Sequence, residues 1–210
     1  MTPDEFSEAV LTLRDHDAPP QRRLAILRTL QFLEFGASGE DFPRAAYLEV
    51  LRLLLDDPVI SPVAIDTLAS VRDPHAQRRL LDVVARIDTT LVPSRARAVQ
   101  LLSYDMHGPH LPACRALAVD TTADIDTRIE SIRALAVDPT AVPLLVRLLT
   151  SASEPIIVRL WAGLSLRALT PPAFASIAST MMANVNEDAS LRQMCESAFR
   201  TSPTLNRRVP

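Results

Sequence analysis

The feature that most constrains this chain is a turn that returns at a fixed interval. Asp73-Pro74-His75-Ala76, Asp105-Met106-His107-Gly108, Asp138-Pro139-Thr140-Ala141 and Thr170-Pro171-Pro172-Ala173 begin 32, 33 and 32 residues apart, and Thr201-Ser202-Pro203 follows 31 residues later. Each of the four full turns closes on a small residue. Between the turns, apolar residues recur at helical spacing. Ile129, Ile132, Leu135 and Ala136 precede Asp138-Pro139, and Val142, Leu145, Val146 and Leu149 follow it. Leu160, Leu164, Leu166 and Leu169 then open the pattern again. That periodicity belongs to amphipathic helices paired into hairpins. A repeat of this length means a stack of supersecondary units, none of which buries its own apolar face alone. We therefore expect an all-α fold, an α-solenoid of about five helical hairpins with capping helices. No segment shows sustained alternation, so no sheet is expected.

Proline, aspartate and glycine place the helices. Thr2 or Asp4 can cap a first helix, which ends near Asp15 because Pro19-Pro20 cannot continue it. A second helix is expected over 21–35, broken by the stretch from Gly36 to Gly39, and a third over 42–55. Further helices are expected near 61–71, 75–87, 94–104, 109–119, 125–137, 141–150, 155–169 and 172–184, with a closing helix near 188–200. This makes a single domain over 1–210. Residues 1–57 are an atypical cap and first hairpin, 58–184 the regular repeats, and 185–210 a cap helix with a loose tail from Asn206 to Pro210.

Composition removes several classes of chemistry. Apolar residues make up 48% of the chain and aromatics 4%, which leaves few stacking platforms for bases or sugars. A net charge of −3 argues against a dedicated nucleic-acid binder, which concentrates a basic excess. All 22 basic residues are arginine. Without lysine there is no Schiff-base anchor for pyridoxal chemistry and no P-loop cation. The four glycines (Gly36, Gly39, Gly108, Gly163) spell neither a Walker loop nor a dinucleotide fingerprint, and no cofactor is expected. Cys114 and Cys195 form one pair at most, in a chain that needs no stapling. The start, MTPDEFSEAV, is acidic, and no apolar run approaches the ~20 residues of a membrane helix. The expectation is a cytoplasmic protein with no membrane partner.

One further pattern names a family. Arginine stands near the start of the first helix of each hairpin, in Arg95-Ala96-Arg97-Ala98-Val99, Arg128-Ile129-Glu130-Ser131-Ile132, Arg159-Leu160-Trp161-Ala162-Gly163 and Leu191-Arg192-Gln193-Met194-Cys195. An acidic residue lies in or near the preceding turn: Asp88, Asp120 to Asp126, Glu154 and Asp188. This resembles HEAT repeats, especially the shorter HEAT-like units first known from phycobilisome lyases. The resemblance covers residues 56 to 200, and the first 55 more loosely. It implies a right-handed superhelix with an inter-repeat ladder of Asp88, Arg95, Asp120, Arg128, Glu154, Arg159, Asp188 and Arg192. The repeat starting at Pro58 departs from it, with Val63-Ala64 where the arginine stands elsewhere. HEAT-like arrays serve mostly as scaffolds and adaptors; bilin lyases, deoxyhypusine hydroxylase and alkylpurine DNA glycosylases are the enzymatic exceptions. Fold alone does not choose among these.

The resemblance also implies that second helices line a concave face. Arg44, Arg52, Arg78, Arg79, Arg86, Arg115 and Arg147 fall on those helices and, with Asp82 and His110, make the expected partner-binding set, while Asp82 and Glu49 dilute the charge. Stacked, they could hold an acidic segment of a partner protein through bidentate forks. The reading is a non-catalytic scaffold or adaptor using that face. Its alternatives are an enzyme or enzyme accessory of the lyase or glycosylase type, or a phosphate-backbone binder. Chemistry has few candidates. The His-Glu pairs of the hydroxylase are absent, and His107 with His110 is short of the three or four ligands that a metal needs. His110 and Cys114 share one helical face, where an activated thiolate and a plain buried cysteine are both open. Trp161 is open between packing and a binding anchor. Met181-Met182 read as gap filling, with an adaptable contact surface as the alternative, and Cys195 reads as core.

Overall fold

The computed structural model describes residues 1–36, 42–88, 90, 93–106 and 108–201. Among them the structure is all-helical: twelve α-helices, two short 3-10 turns and no strand. The loop at Gly39, His107 and the tail from Asn206 lie outside the described residues. Where one domain was expected, the chain divides into two compact units, Met1–Ser94 and Arg95–Pro210. No helix of the described residues is long and apolar enough to cross a membrane.

The first unit holds α1 (Pro3–Arg14), α2 (Pro20–Gly36), α3 (Arg44–Leu53), α4 (Ser61–Ser70) and α5 (Pro74–Val84). Thr2 starts α1 with a capping box: its hydroxyl accepts the N–H of Glu5 at 3.2 Å, and the Glu5 carboxylate accepts the N–H of Thr2 at 2.7 Å. Leu13, Leu27, Leu30, Leu51 and Leu68 fill the core. Phe42 lies edge-on to both Phe6 and Tyr47, at centroid distances of 6.1 and 5.4 Å. Both α4 and α5 end with an arginine in the left-handed region, Arg72 at φ 56° and Arg86 at φ 60°. After each, the next N–H bonds five residues back, Asp73 to Leu68 at 2.9 Å and Ile87 to Asp82 at 2.8 Å. That is the cap in which glycine is favoured.

The second unit holds α6 (Arg95–Leu102), α7 (Leu111–Val119), α8 (Ile125–Ala134), α9 (Val142–Thr150), α10 (Ile156–Leu169), α11 (Pro171–Ala183) and α12 (Ala189–Thr201). Within it α8 packs against α6, α7 and α10, and α10 packs against α9, α11 and α12. The helix expected over 125–137 ends at Ala134 and tightens into a 3-10 turn at Leu135–Val137. The residue before a proline resists the helical conformation, and Asp138 is extended at φ −104°, ψ 100°. The stripe expected on α10 is rotated. Val158, Ala162 and Leu166 are fully buried, while Leu160 and Leu164 are half-buried on another side.

Candidate interaction sites

Arginines at the first-helix starts form rungs between consecutive repeats. Arg23, on α2, donates to the Leu13 carbonyl from Nε at 2.9 Å and from Nη2 at 2.7 Å, and pairs with the Asp57 carboxylate. Arg128, on α8, donates to the Ala118 carbonyl at 3.2 and 3.1 Å and to Glu154 at 2.6 Å. Arg159, on α10, donates to the Leu149 carbonyl at 2.9 Å and to Glu187 at 2.9 Å. In each case the carbonyl lies at the end of the preceding helix, ten residues back. The carboxylate lies in the turn ahead of the next helix but one. All three guanidiniums are buried, so removing one partner of a pair costs more than at an exposed pair, because it leaves the other charge buried and unpaired. Burial pushes the Asp57 carboxyl up, but the Arg23 bond and the N–H groups of Ile60 and Val59 outweigh it and hold it below its usual range. Asp120 also lies below its usual range, chiefly through Thr122; burial pushes Asp124 up, but the Thr127 bonds outweigh it and leave it lowered, and the Arg95 charge adds to both.

The series has two departures. On α4, where Val63 stands in place of arginine, Asp88 is held by Arg79 of α5 at 2.8 Å, and the same guanidinium reaches Asp56 at 2.9 Å. Asp188, expected as a ladder acid, instead caps α12, accepting the N–H groups of Ser190 at 2.8 Å and Leu191 at 3.4 Å. Its neighbour Glu187 is the rung acid, which the sequence reading passed over. At α12 the Arg192 Nε is buried with no hydrogen-bond partner.

The second-helix arginines are mostly committed to carboxylates inside their own units. Arg52 donates to Asp73 at 2.9 and 2.6 Å and to Glu49 at 2.6 Å. Arg115 pairs with Asp138 and donates to the Thr140 hydroxyl at 2.9 Å. Asp73 and Asp138 divide their oxygens: Oδ1 accepts helix-start N–H groups, and Oδ2 takes the arginine. Burial pushes both carboxyls up, and these bonds outweigh it, leaving both below the usual range. Arg44 holds Glu34 at 3.0 Å. Asp82 is half-buried, and Arg86 is an exposed helix cap. Arg78 and Arg147 are exposed and have no side-chain partner among the described residues. The free forks expected at Arg44, Arg52, Arg79 and Arg115 are therefore already occupied.

The Cys114 thiol is not an activated nucleophile. It is fully buried, and that burial pushes it up to about 12, so it stays protonated near neutral pH. His110 is buried beside it in sequence, with Nδ1 unpartnered, and burial pushes its pKa down. The described residues contain no group of three or more His, Cys, Asp or Glu that could hold a metal.

Trp161, which by sequence could serve packing or binding, lies at a groove. An open groove of ≈ 450 Å³ runs between α10 and α12. Ile157, Leu160, Trp161 and Leu164 line it from α10; Ser190, Gln193, Met194 and Ser197 line it from α12. Both sets follow the spacing i, i+3, i+4, i+7, one stripe of each helix. Ile157 is 42% exposed. The Arg133 guanidinium lies 5.0 Å from the Trp161 ring centroid, a cation–π contact, and is steadied by Glu130 at 2.7 Å. A sequence signal for the groove existed: α10, IIVRLWAGLSLRAL, is apolar on more than its core side.

Comparison with protein-family models finds no match to the chain, and comparison with curated proteins finds none either.

Proposed function

We propose that the chain is a non-catalytic protein–protein interaction scaffold, an α-solenoid of HEAT-like hairpins that holds a partner protein by its helical surface. The observation that carries this reading is the α10–α12 groove. It presents an apolar stripe and a half-buried tryptophan under a fixed cation, at a place where the fold does not use them as core. Large aromatic side chains in partly desolvated pockets are the usual anchors of protein interfaces, with arginine beside them. The occupant that fits is an apolar segment of a partner, a helix above all, since two stripes at helical spacing leave a trough for a third. The groove replaces the second-helix arginines as the proposed contact, because most of those are neutralised in place. The repeated rungs support the solenoid reading: the same arginine–carbonyl–carboxylate set recurs at Arg23, Arg128 and Arg159.

The test is affinity capture of the tagged protein from its native host, quantified by mass spectrometry, beside a Trp161→Ala variant whose helical circular dichroism is unchanged. A protein retained by the wild type and depleted by about tenfold or more in the variant is the expected result. Equal retention by both removes the groove from the interface, and a chain that captures nothing argues against the scaffold reading itself.

A further inference from the structure

Two halves of one rung stand unpaired at different places in the chain. The donor half is on α12. Arg192 occupies the position that Arg128 holds on α8 and Arg159 on α10. Its Nε, the atom that meets the preceding helix's carbonyl in those two rungs, is buried with no partner, and its guanidinium pairs with no carboxylate among the described residues. On α8 and the 3-10 turn that follows it the stripe Arg128, Ile132, Leu135 is buried, and on α10 so is Arg159, Gly163, Leu166. The next first-helix covers it: a Cβ on Gly163 would come within 2.7 Å of Met194 on α12. The same stripe of α12, Arg192, Glu196 and Phe199, is half-buried to exposed. It points away from both the core residues Leu191, Cys195 and Ala198 and the groove residues Ser190, Gln193 and Ser197.

The acceptor half is at α2. The face by which α10 meets α8 is Val158, Ala162 and Ser165, all buried, with the Ser165 hydroxyl donating to the Ile132 carbonyl at 3.0 Å. The matching residues of α2, counted from Arg23, are Arg22, Ile26 and Thr29, and all are exposed or half-buried. The turn ahead of α2 carries Asp15 and Asp17, both exposed. Asp15 accepts the N–H of Asp17 at 3.0 Å, just as Asp120, ahead of α8, accepts that of Thr122 at 2.9 Å. No arginine pairs with either aspartate among the described residues.

We propose that a second copy of this chain joins the halves: α12 of one copy docks on α2 of another, and Arg192 donates to the Asp15–Asp17 turn as Arg128 does to Glu154. The Thr29 hydroxyl then donates to the Glu196 carbonyl, as Ser165 does to that of Ile132. The occupant is a second copy because donor and acceptor are complementary in charge and occupy corresponding positions of the same repeated contact. This contact is heterologous, so an assembly that does not close into a ring keeps one donor end and one acceptor end. It is independent of the α10–α12 groove.

Sedimentation velocity on the full chain, over a wide concentration range and at low and high salt, tests this. The expected result is a mass that rises with concentration and falls with added salt. Arg192→Glu and Asp17→Arg should each weaken association by about tenfold or more. An equimolar mixture of the two variants should associate again, because the intact Arg192 of one meets the intact Asp17 of the other. Arg78→Glu, which changes charge on α5, should behave as the wild type. A wild type that keeps the mass of one chain at every concentration overturns the proposal. So does association that Arg192→Glu leaves unchanged, or a mixture that fails to recover.

Discussion

His110 shows how one side chain can couple folding to pH. It sits at the start of α7, 1% exposed, and Nδ1 finds no acceptor or donor. Burial disfavours the imidazolium, and although Asp105 pulls the other way, the folded pKa falls below the ordinary 6.5. The unfolded chain therefore binds a proton that the folded chain does not, over the window between those two values. Stability is complete above the ordinary value and declines as pH falls through that window toward the depressed one. Melting curves from about pH 7.5 to 5 should show the wild type losing a few degrees that His110→Leu does not lose. Parallel curves would mean that His110 titrates as it does in the unfolded chain. The same burial makes the neighbouring Cys114 inert. Sequence spacing placed the two side chains on one face but could not show that the face points into the core.

Between elements, the buried rungs carry energies that surface pairs do not. Arg128→Met leaves the half-buried Glu154 carboxylate and the Ala118 carbonyl without their donor, at a cost of up to about 3–5 kcal/mol. Pairing it with Glu154→Met should recover much of that loss. Arg133, which is 45% exposed and paired with Glu130 within α8, should cost at most ~1 kcal/mol as Arg133→Met. Urea denaturation of the three variants measures both. An Arg128→Met that is no costlier than Arg133→Met would show that the rung does not join α8 to α10. The helices themselves were legible because nearly every boundary has a proline or an aspartate that acts locally. Thr2, Asp73 and Asp124 cap where they stand. Which carboxylate an arginine would take was not legible. Arg52 meets Asp73 across 21 residues and Arg115 meets Asp138 across 23, and only the packing of second helices brings them together. The pattern of cations was visible in the sequence, but their neutralisation was not. The groove was hidden for a related reason. Sequence spacing sets Leu160, Leu164, Leu166 and Leu169 on one stripe of α10, whereas Val158, Ala162 and Leu166 face the core and Leu160 and Leu164 face the groove.

At the scale of the whole chain, an even repeat in the sequence gives no sign of where the chain will divide into compact units. One domain was expected, and two compact units are found, meeting in sequence at Ser94 and Arg95. The one local cue was Val63. It leaves α4 without the arginine that α2, α8 and α10 use to bind the turn ahead of the next repeat, and that turn lies just before the boundary. Each unit has its own core: Leu27, Tyr47 and Leu68 in the first, and Ile132, Leu145 and Phe174 in the second. The Arg128–Glu154, Arg159–Glu187 and Arg115–Asp138 pairs all lie within Arg95–Pro210. At 116 residues that unit is long enough to bury a core of its own. Expressed alone, Arg95–Pro210 should be helical by circular dichroism and melt in one cooperative transition, and Arg128→Met should lower that transition as it does in the full chain. The second condition matters because a helical but loosely packed fragment would also give the dichroism. Only a fragment whose α8–α10 junction is native would respond to loss of the rung. A fragment that melts without cooperativity, or ignores Arg128→Met, would mean that residues 1–94 are needed to complete the second unit.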